Sequence, residues 1–160
     1  MYKFRVILDT KEDVIREVAL LRDFTLEDLH QTIVNAFEFD GLQMASFYKT
    51  DSDWNQGDEI PLFNMNEQVG GLSQMKDYKL DFIFTKIDNQ LIYVYDFMKL
   101  WTFFVEFIGV FDEVEDKTVP LLLFALGDVP KEAPKKEFEI PIEEDDEDDY
   151  DPYNDDSFYY

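Results

Sequence analysis

Oxygen-bearing side chains at alternate positions are the first candidates for chemistry in this chain. Asp51, Asp53 and Asn55 occupy every second position of a polar stretch. Hard cations prefer clustered oxygen ligands, and this spacing is that of the start of a calcium loop. The glycine of such a loop is displaced by one position, and Leu62 replaces its bidentate glutamate. We therefore expect no tight metal site at these weak candidates. We expect instead a solvated loop that Trp54 anchors.

Three ionisable residues are candidates for acid–base chemistry. His30, the only histidine, falls within the apolar stripe of a predicted helix, and it has no evident orienting partner or nucleophile. We interpret it as a partly buried structural imidazole rather than a catalytic base. Asp96 and Glu106 fall on one face of a predicted hairpin, where paired carboxylates can exchange protons. Their spacing separates them across the turn, so we expect Asp96 to accept backbone N–H bonds there.

Several catalytic motifs are absent from the sequence. The chain has no cysteine, which excludes disulfides, thiolate metal sites and cysteine nucleophiles. Gly70-Gly71 lacks the following Lys-Ser/Thr of a phosphate-binding loop, and no serine occurs in a Gly-x-Ser-x-Gly elbow. We expect no cofactor, and catalysis is the less favoured hypothesis.

The charge of the chain restricts its partners. The net charge is −23, and residues 143–160 hold ten acidic and no basic residues. The other 142 residues carry 27 acidic and 14 basic groups, which is a net charge of −13. An acidic body repels phosphate backbones and attracts basic proteins. We therefore expect a basic protein partner and no direct nucleic-acid binding.

The acidic tail, residues 143–160, also contains aromatic side chains that solvation alone does not require. Consecutive carboxylates repel one another, so we expect this tail to be disordered in the isolated protein. Its end is similar in kind to the acidic tails of single-stranded-DNA-binding proteins, which dock on partners. The residues that we predict to contact a partner are Asp155, Asp156, Phe158, Tyr159 and Tyr160.

Periodicity along the chain predicts the elements that position these residues. Alternating or continuous apolar residues predict strands at Tyr2–Leu8, 14–21, 42–50 and 119–126, the last of them buried. Thr25 and Asp28 form a capping-box pattern at the start of a helix over 25–39. The stretch 51–59 is predicted as a polar loop, and residues 80–85 as a short helical or turn segment.

The lengths of the apolar stretches also indicate where in the cell the protein is expected. No run reaches the roughly 18 uninterrupted apolar residues that a membrane span needs. The start, MYKFRVILDT, is typical of a strand and lacks the layout of a signal peptide. We therefore expect a cytoplasmic protein without membrane contact.

The densest apolar run, residues 91–110, predicts the centre of the sheet. Aromatic residues recur at every second position, which is the period of a strand. A connection over 98–100 would pair Phe97 with Trp101, Tyr95 with Phe103, and so place all the aromatics on one face of an antiparallel hairpin. Tyr93 would then face Val105.

A family resemblance lies in this hairpin. The string Tyr93-x-Tyr95-Asp96-Phe97-x-x-x-Trp101 resembles the Tyr-x-Tyr-Asp-Phe-Gly-Asp-x-Trp signature of the Ri-plasmid ORF-3-like domain family, whose members are often catalogued as passengers of plasmids and insertion elements. The similarity extends over about residues 1–130, with 26–37 corresponding to the first helix of the family and Ser46-Phe47 following it. The resemblance informs the fold and carries no established activity.

This chain departs from the family pattern in two places. Met98-Lys99 replaces the usual Gly-Asp of the turn, and only 129–134 remains of a Pro-rich, acidic and Gly-Gly segment after the hairpin. A family site at either place would be altered or lost here.

Together these features predict an α+β fold with a mixed or antiparallel sheet of about five or six strands, one main helix on a face, and a disordered acidic tail. We expect a domain over 1–130, a Pro/Lys/Glu linker over 131–142 and the tail over 143–160. The leading hypothesis is a non-catalytic interaction module whose tail contacts a basic partner. The alternatives are a metal-dependent enzyme or cation-binding protein that uses 51–59 and Asp96, and a nucleic-acid-associated passenger protein.

Overall fold

The fold is a single antiparallel sheet with one main helix. The computed structural model describes residues 1–64, 74–112 and 119–135. The strands are β1 (Tyr2–Leu8), β2 (Ile15–Leu20), β3 (Ala45–Thr50), β4 (Gln56–Pro61), β5 (Gln90–Tyr95), β6 (Trp101–Val110) and β7 (Leu121–Leu126). They lie in the order β4-β3-β5-β6-β1-β2-β7, and each neighbouring pair is antiparallel.

The predicted fold is wrong in its sheet. The structure has seven strands rather than five or six, and no parallel pair occurs among the described residues. Strand β4 begins within the stretch 51–59 that was predicted as a polar loop and extends beyond it. It is an edge strand in which only Ile60 is fully buried, so its sequence carries no apolar alternation. It forms a hairpin with β3, in which Ile60 lies opposite Phe47.

One face of the sheet, the helix face, packs against α1 (Leu26–Ala36). The predicted capping box is confirmed: the Thr25 hydroxyl accepts the Asp28 N–H at 3.3 Å, and the Asp28 carboxylate accepts the Thr25 N–H at 2.8 Å. The helix ends before the predicted boundary, because Glu38 adopts a positive φ of 60°. A second helix, α2 (Leu80–Ile83), confirms the short helical segment.

The central β5–β6 hairpin has its predicted faces but a different register. Tyr95 pairs with Trp101 and Tyr93 with Phe103, so the connection is five residues long, 96–100. A shift of two residues keeps every side chain on its face, and the core aromatics of both strands are therefore buried as predicted. Phe97 is the exception, because it lies in the turn and is 43% exposed.

The opposite face, the open face, carries ion pairs and a loop. Glu17 on β2 binds both Arg5 at 3.0 Å and Lys3 at 3.3 Å. The Trp54 ring packs edge-on against Phe104 of β6, with ring centroids 4.8 Å apart, and this contact anchors the loop as predicted. Within the described ranges no helix is long and apolar enough to cross a membrane.

Candidate functional site

Tyr93, the first signature residue, joins the sheet to α1. Its hydroxyl shares a 2.6 Å hydrogen bond with Nδ1 of His30, and both side chains are fully buried. Burial lowers the pKa of His30 to about 4 and raises the pKa of Tyr93 well above its ordinary value. Both groups are therefore neutral at physiological pH. An imidazole without access to solvent cannot exchange protons with a substrate, so His30 has the structural role that its place in the apolar stripe predicts.

Tyr95 attaches the loop after α1 to the sheet. Its hydroxyl donates to the Asp40 carboxylate at 2.8 Å and accepts the Gly41 N–H at 2.9 Å. Its ring stacks on Phe39, with centroids 4.7 Å apart and planes 1° from parallel. Hydrogen bonds from the Leu42 N–H and from Tyr95 lower the pKa of Asp40, which stays ionised as an acceptor.

Asp96 closes the turn of the hairpin through its side chain and its backbone. Its carboxylate accepts the N–H groups of Met98 at 3.1 Å and Lys99 at 3.3 Å, as the sequence predicts. Its carbonyl accepts the Leu100 N–H at 2.6 Å. Its own N–H donates to the carbonyl of Met44, the residue just before β3. Asp96 and Leu100 both have positive φ, so the turn forms without the family glycine.

The signature residues Tyr93, Tyr95, Asp96 and Trp101 therefore make structural contacts around the centre of the sheet, whereas Phe97 lies exposed in the turn. Trp101 completes these contacts by packing on Phe39, with ring centroids 5.0 Å apart. Sequence reasoning identified the signature but not the partners His30 and Asp40, because these lie 63 and 55 residues away in the chain. Asp96 and Glu106 are not brought together, since Glu106 lies along β6 beside Arg5.

The weak metal candidates form a self-contained loop. One Asp51 carboxylate oxygen accepts the N–H groups of Asp53 and Asn55, and the other accepts the Asn55 side-chain amide at 2.9 Å. The Asn55 bonds are the main cause of the lowered pKa of Asp51. Both carboxylate oxygens of Asp51 thus accept hydrogen bonds from within the loop. Within the described ranges no group of three acidic, histidine or cysteine side chains is arranged to hold a metal.

Asp51 and Asp96 do not share a cleft. Asp51 follows the last residue of β3, whereas Asp96 follows Tyr95, which pairs with Ala45 at the start of β3. The two carboxylates are therefore at opposite ends of a strand that is roughly 17 Å long. Glu59 lies between them on β4, where it accepts the Ser46 hydroxyl at 2.6 Å. The predicted combination of the 51–59 loop with Asp96 is not formed.

A cavity of about 920 Å³ lies beside the β1–β2 turn and the segment after β7. It contains no signature residue. Its charged lining has equal numbers of lysines and carboxylates, namely Lys11, Lys131, Lys135, Asp9, Glu12 and Asp128. This mixture presents neither a cation site nor an anion site.

The outer strand β7 is the surface that sequence analysis missed. The run 119–126 was predicted as a buried strand, but β7 is the last strand of the sheet and its large side chains are 42–54% exposed. These side chains are Leu122, Leu123, Phe124 and Leu126. The prediction is wrong because apolar content does not reveal whether a strand has one neighbour or two. We call Leu121–Leu126 the β7 edge.

The fold and these contacts define a class of protein: an α+β sheet module whose central hairpin is fixed by buried tyrosines and a turn aspartate. Residues 1–139 match the family model described as plasmid pRiA4b ORF-3-like protein, and the chain belongs to this family, which confirms the resemblance. Residues 136–160 lie outside the described structure, and with them the tail candidates Asp155, Asp156, Phe158, Tyr159 and Tyr160.

A solved structure has a similar fold. The crystal structure of a protein of unknown function from Methanosarcina mazei Go1 superposes with a TM-score of 0.66 at 20% sequence identity, over 78% of this chain and 68% of that chain. No curated protein matches the sequence significantly. The similarity supports the architecture and assigns no activity.

Proposed function

We propose that this protein is a non-catalytic interaction module that binds a basic protein partner. The β7 edge carries the proposal, because four large apolar side chains lie exposed on a strand that pairs on one side only among the described residues. Exposed apolar surface of this kind marks interaction sites on soluble proteins.

The charge of the chain supports a basic partner. The net charge is −23, and a field of this sign accelerates encounters with positively charged proteins and disfavours encounters with acidic ones. The acidic tail supplies a second contact in this proposal. Its carboxylates provide an attraction that salt screens, and its terminal aromatics provide a contribution that salt does not remove.

The contacts of the ionisable residues support a role without catalysis. His30 and Asp96 are bound to groups of the protein itself and lie away from solvent. The metal-dependent alternative is not favoured, since Asp51 binds its own loop and lies far from Asp96. The nucleic-acid-associated alternative is opposed by the net negative charge.

A pull-down from the native host with the full chain tests the proposal. The captured protein, once purified, is expected to be basic and to bind less tightly as salt is added. A full-length variant with Phe158, Tyr159 and Tyr160 changed to Ser should lose the salt-resistant part of the affinity. Failure to capture any basic protein, or an affinity independent of salt, would contradict the proposal.

Calcium and magnesium provide the test of the metal-dependent alternative. A bound ion stabilises the native state, so a true site would raise the melting temperature. We expect neither ion to change it. Micromolar calcium binding that Asp53→Ala abolishes would replace the interaction proposal with the metal-dependent one.

A further inference from the structure

We infer that the β7 edge accepts an added β-strand from the partner, and that this strand alternates apolar and basic side chains. The inference rests on the proposed function, because it describes how the basic partner of that proposal binds. In such β-augmentation, backbone hydrogen bonds provide affinity and alternate side chains provide specificity.

The two edges of the sheet differ in the features that prevent strand addition. Exposed edges in natural proteins are usually blocked by charged residues, prolines or bulges. The β4 edge carries Asp58, Glu59 and Pro61 within its six residues. The β7 edge has a bulge opposite Glu17 but no charged residue and no proline within its six residues. Only the β7 edge therefore has the composition of a strand acceptor.

On the open face, an added strand would find apolar neighbours. Phe124 lies opposite Glu17 and Leu126 lies opposite Ile15, so both side chains share the open face with these residues. The Glu17 carboxylate is already paired with Arg5 and Lys3. Alternate side chains of the incoming strand would therefore contact apolar surface here and gain by burial.

On the helix face, the neighbours of an added strand are partly polar. Leu122 lies opposite Val18 and beside Thr32 and Asn35 of α1, with which it lines a groove of about 170 Å³. Its volume is below the roughly 300–1,000 Å³ of small-molecule pockets. Side chains of the incoming strand that point to the open face would therefore meet a more apolar surface than those that point to the helix face. A strand whose two faces differ in burial is held in one register.

The charge of the chain distinguishes a basic segment from a second copy as the occupant. Two copies that paired through β7 would bring two net charges of −23 together, and like charges disfavour association. A segment with lysines or arginines between its apolar residues is attracted instead. Its long side chains can keep their charges in water while their stems cover the edge.

Three synthetic peptides test the inference on the full-length protein. The first alternates lysine and valine over seven residues, the second is the same peptide with every backbone amide N-methylated, and the third contains lysine alone. The first should bind at least about tenfold more tightly than the other two, a difference of about 1.4 kcal/mol. It should also slow amide hydrogen exchange within Leu121–Leu126.

Phe124→Glu is the decisive variant, because it makes the protein more acidic while it places a charge on the edge. It should weaken binding of the alternating peptide about tenfold, whereas attraction by charge alone would strengthen it. Gln56→Glu is the matched control, since it adds the same charge to the exposed β4 edge, and it should leave that binding intact. Leu122→Glu provides a second test at an independent exposed position.

The outcomes separate the two proposals. Equal binding of all three peptides, with no loss in Phe124→Glu, would overturn strand addition and leave a basic partner in place. Dimerisation through β7 in place of peptide binding would also overturn it. Failure of every peptide to bind at low salt would overturn the proposed function and the inference together.

Discussion

The central hairpin and the β7 edge are both dense apolar strands, yet they occupy opposite positions in the sheet. Tyr93 and Phe103 of the hairpin are fully buried between neighbours on both sides, whereas Phe124 of β7 is 46% exposed. In sequence both runs predict strands that contribute to the core. Their place in the strand order decides the difference, so that one run holds the fold together and the other is available to a partner.

Truncation at the centre of the sheet should have the largest effect. Trp101→Ala removes a side chain that is 6% exposed and packed on Phe39, and such losses cost about 3–5 kcal/mol of unfolding free energy. Chemical denaturation measures this cost. A melting temperature within a few degrees of the parent would show that the signature tryptophan does not belong to the core.

Acid should destabilise the contact between the hairpin and α1. His30 titrates near 6.5 when unfolded and near 4 when folded, so the unfolded chain binds the extra proton between these values. Stability due to this residue is complete above pH 6.5 and falls by roughly 3 kcal/mol as pH is lowered through 4. His30→Gln does not titrate, and the difference in unfolding free energy between parent and variant should shrink accordingly. A difference independent of pH would show that His30 is accessible to protons in the folded state.

The turn of the hairpin should be less sensitive than its core. Asp96→Ala removes the acceptor for the Met98 and Lys99 N–H groups and leaves an alanine at a φ of 65°, which costs about 1–3 kcal/mol. Asp96→Asn retains an acceptor and tolerates positive φ, so it should lose less. If denaturation gives both variants the same stability, the side-chain contacts do not determine the turn.

The smallest effect is expected at the β7 edge. Phe124→Ser changes a half-exposed side chain on a strand with one neighbour, and exposed substitutions usually alter stability by about 0.5 kcal/mol or less. The same variant should reduce binding of the alternating lysine–valine peptide. A large loss of stability would place Phe124 in the core and remove the contrast between centre and edge.

Local sequence signals predicted what depends on local physics. The faces of the hairpin follow from alternation, and the start of α1 follows from Thr25 and Asp28. The hairpin register was not predictable, because positive φ at Asp96 and Leu100 carries no glycine signal. Strand order could not be predicted either, which is why β7 was taken as buried. Strand β4 was overlooked because its exposed residues show no apolar alternation. Pairings such as that of His30 with Tyr93 join residues 63 positions apart.

The strand order also has a consequence for folding. Strand β7 follows β6 in sequence, but the β1–β2 hairpin lies between them in the sheet. Val18 on β2 must therefore pair with Leu122, which lies far from it in the sequence. Pairings of such sequence separation form late and slowly. The β7 edge is completed only when both ends of the domain have assembled. A partner that binds there would therefore bind the native protein and not its partly folded states.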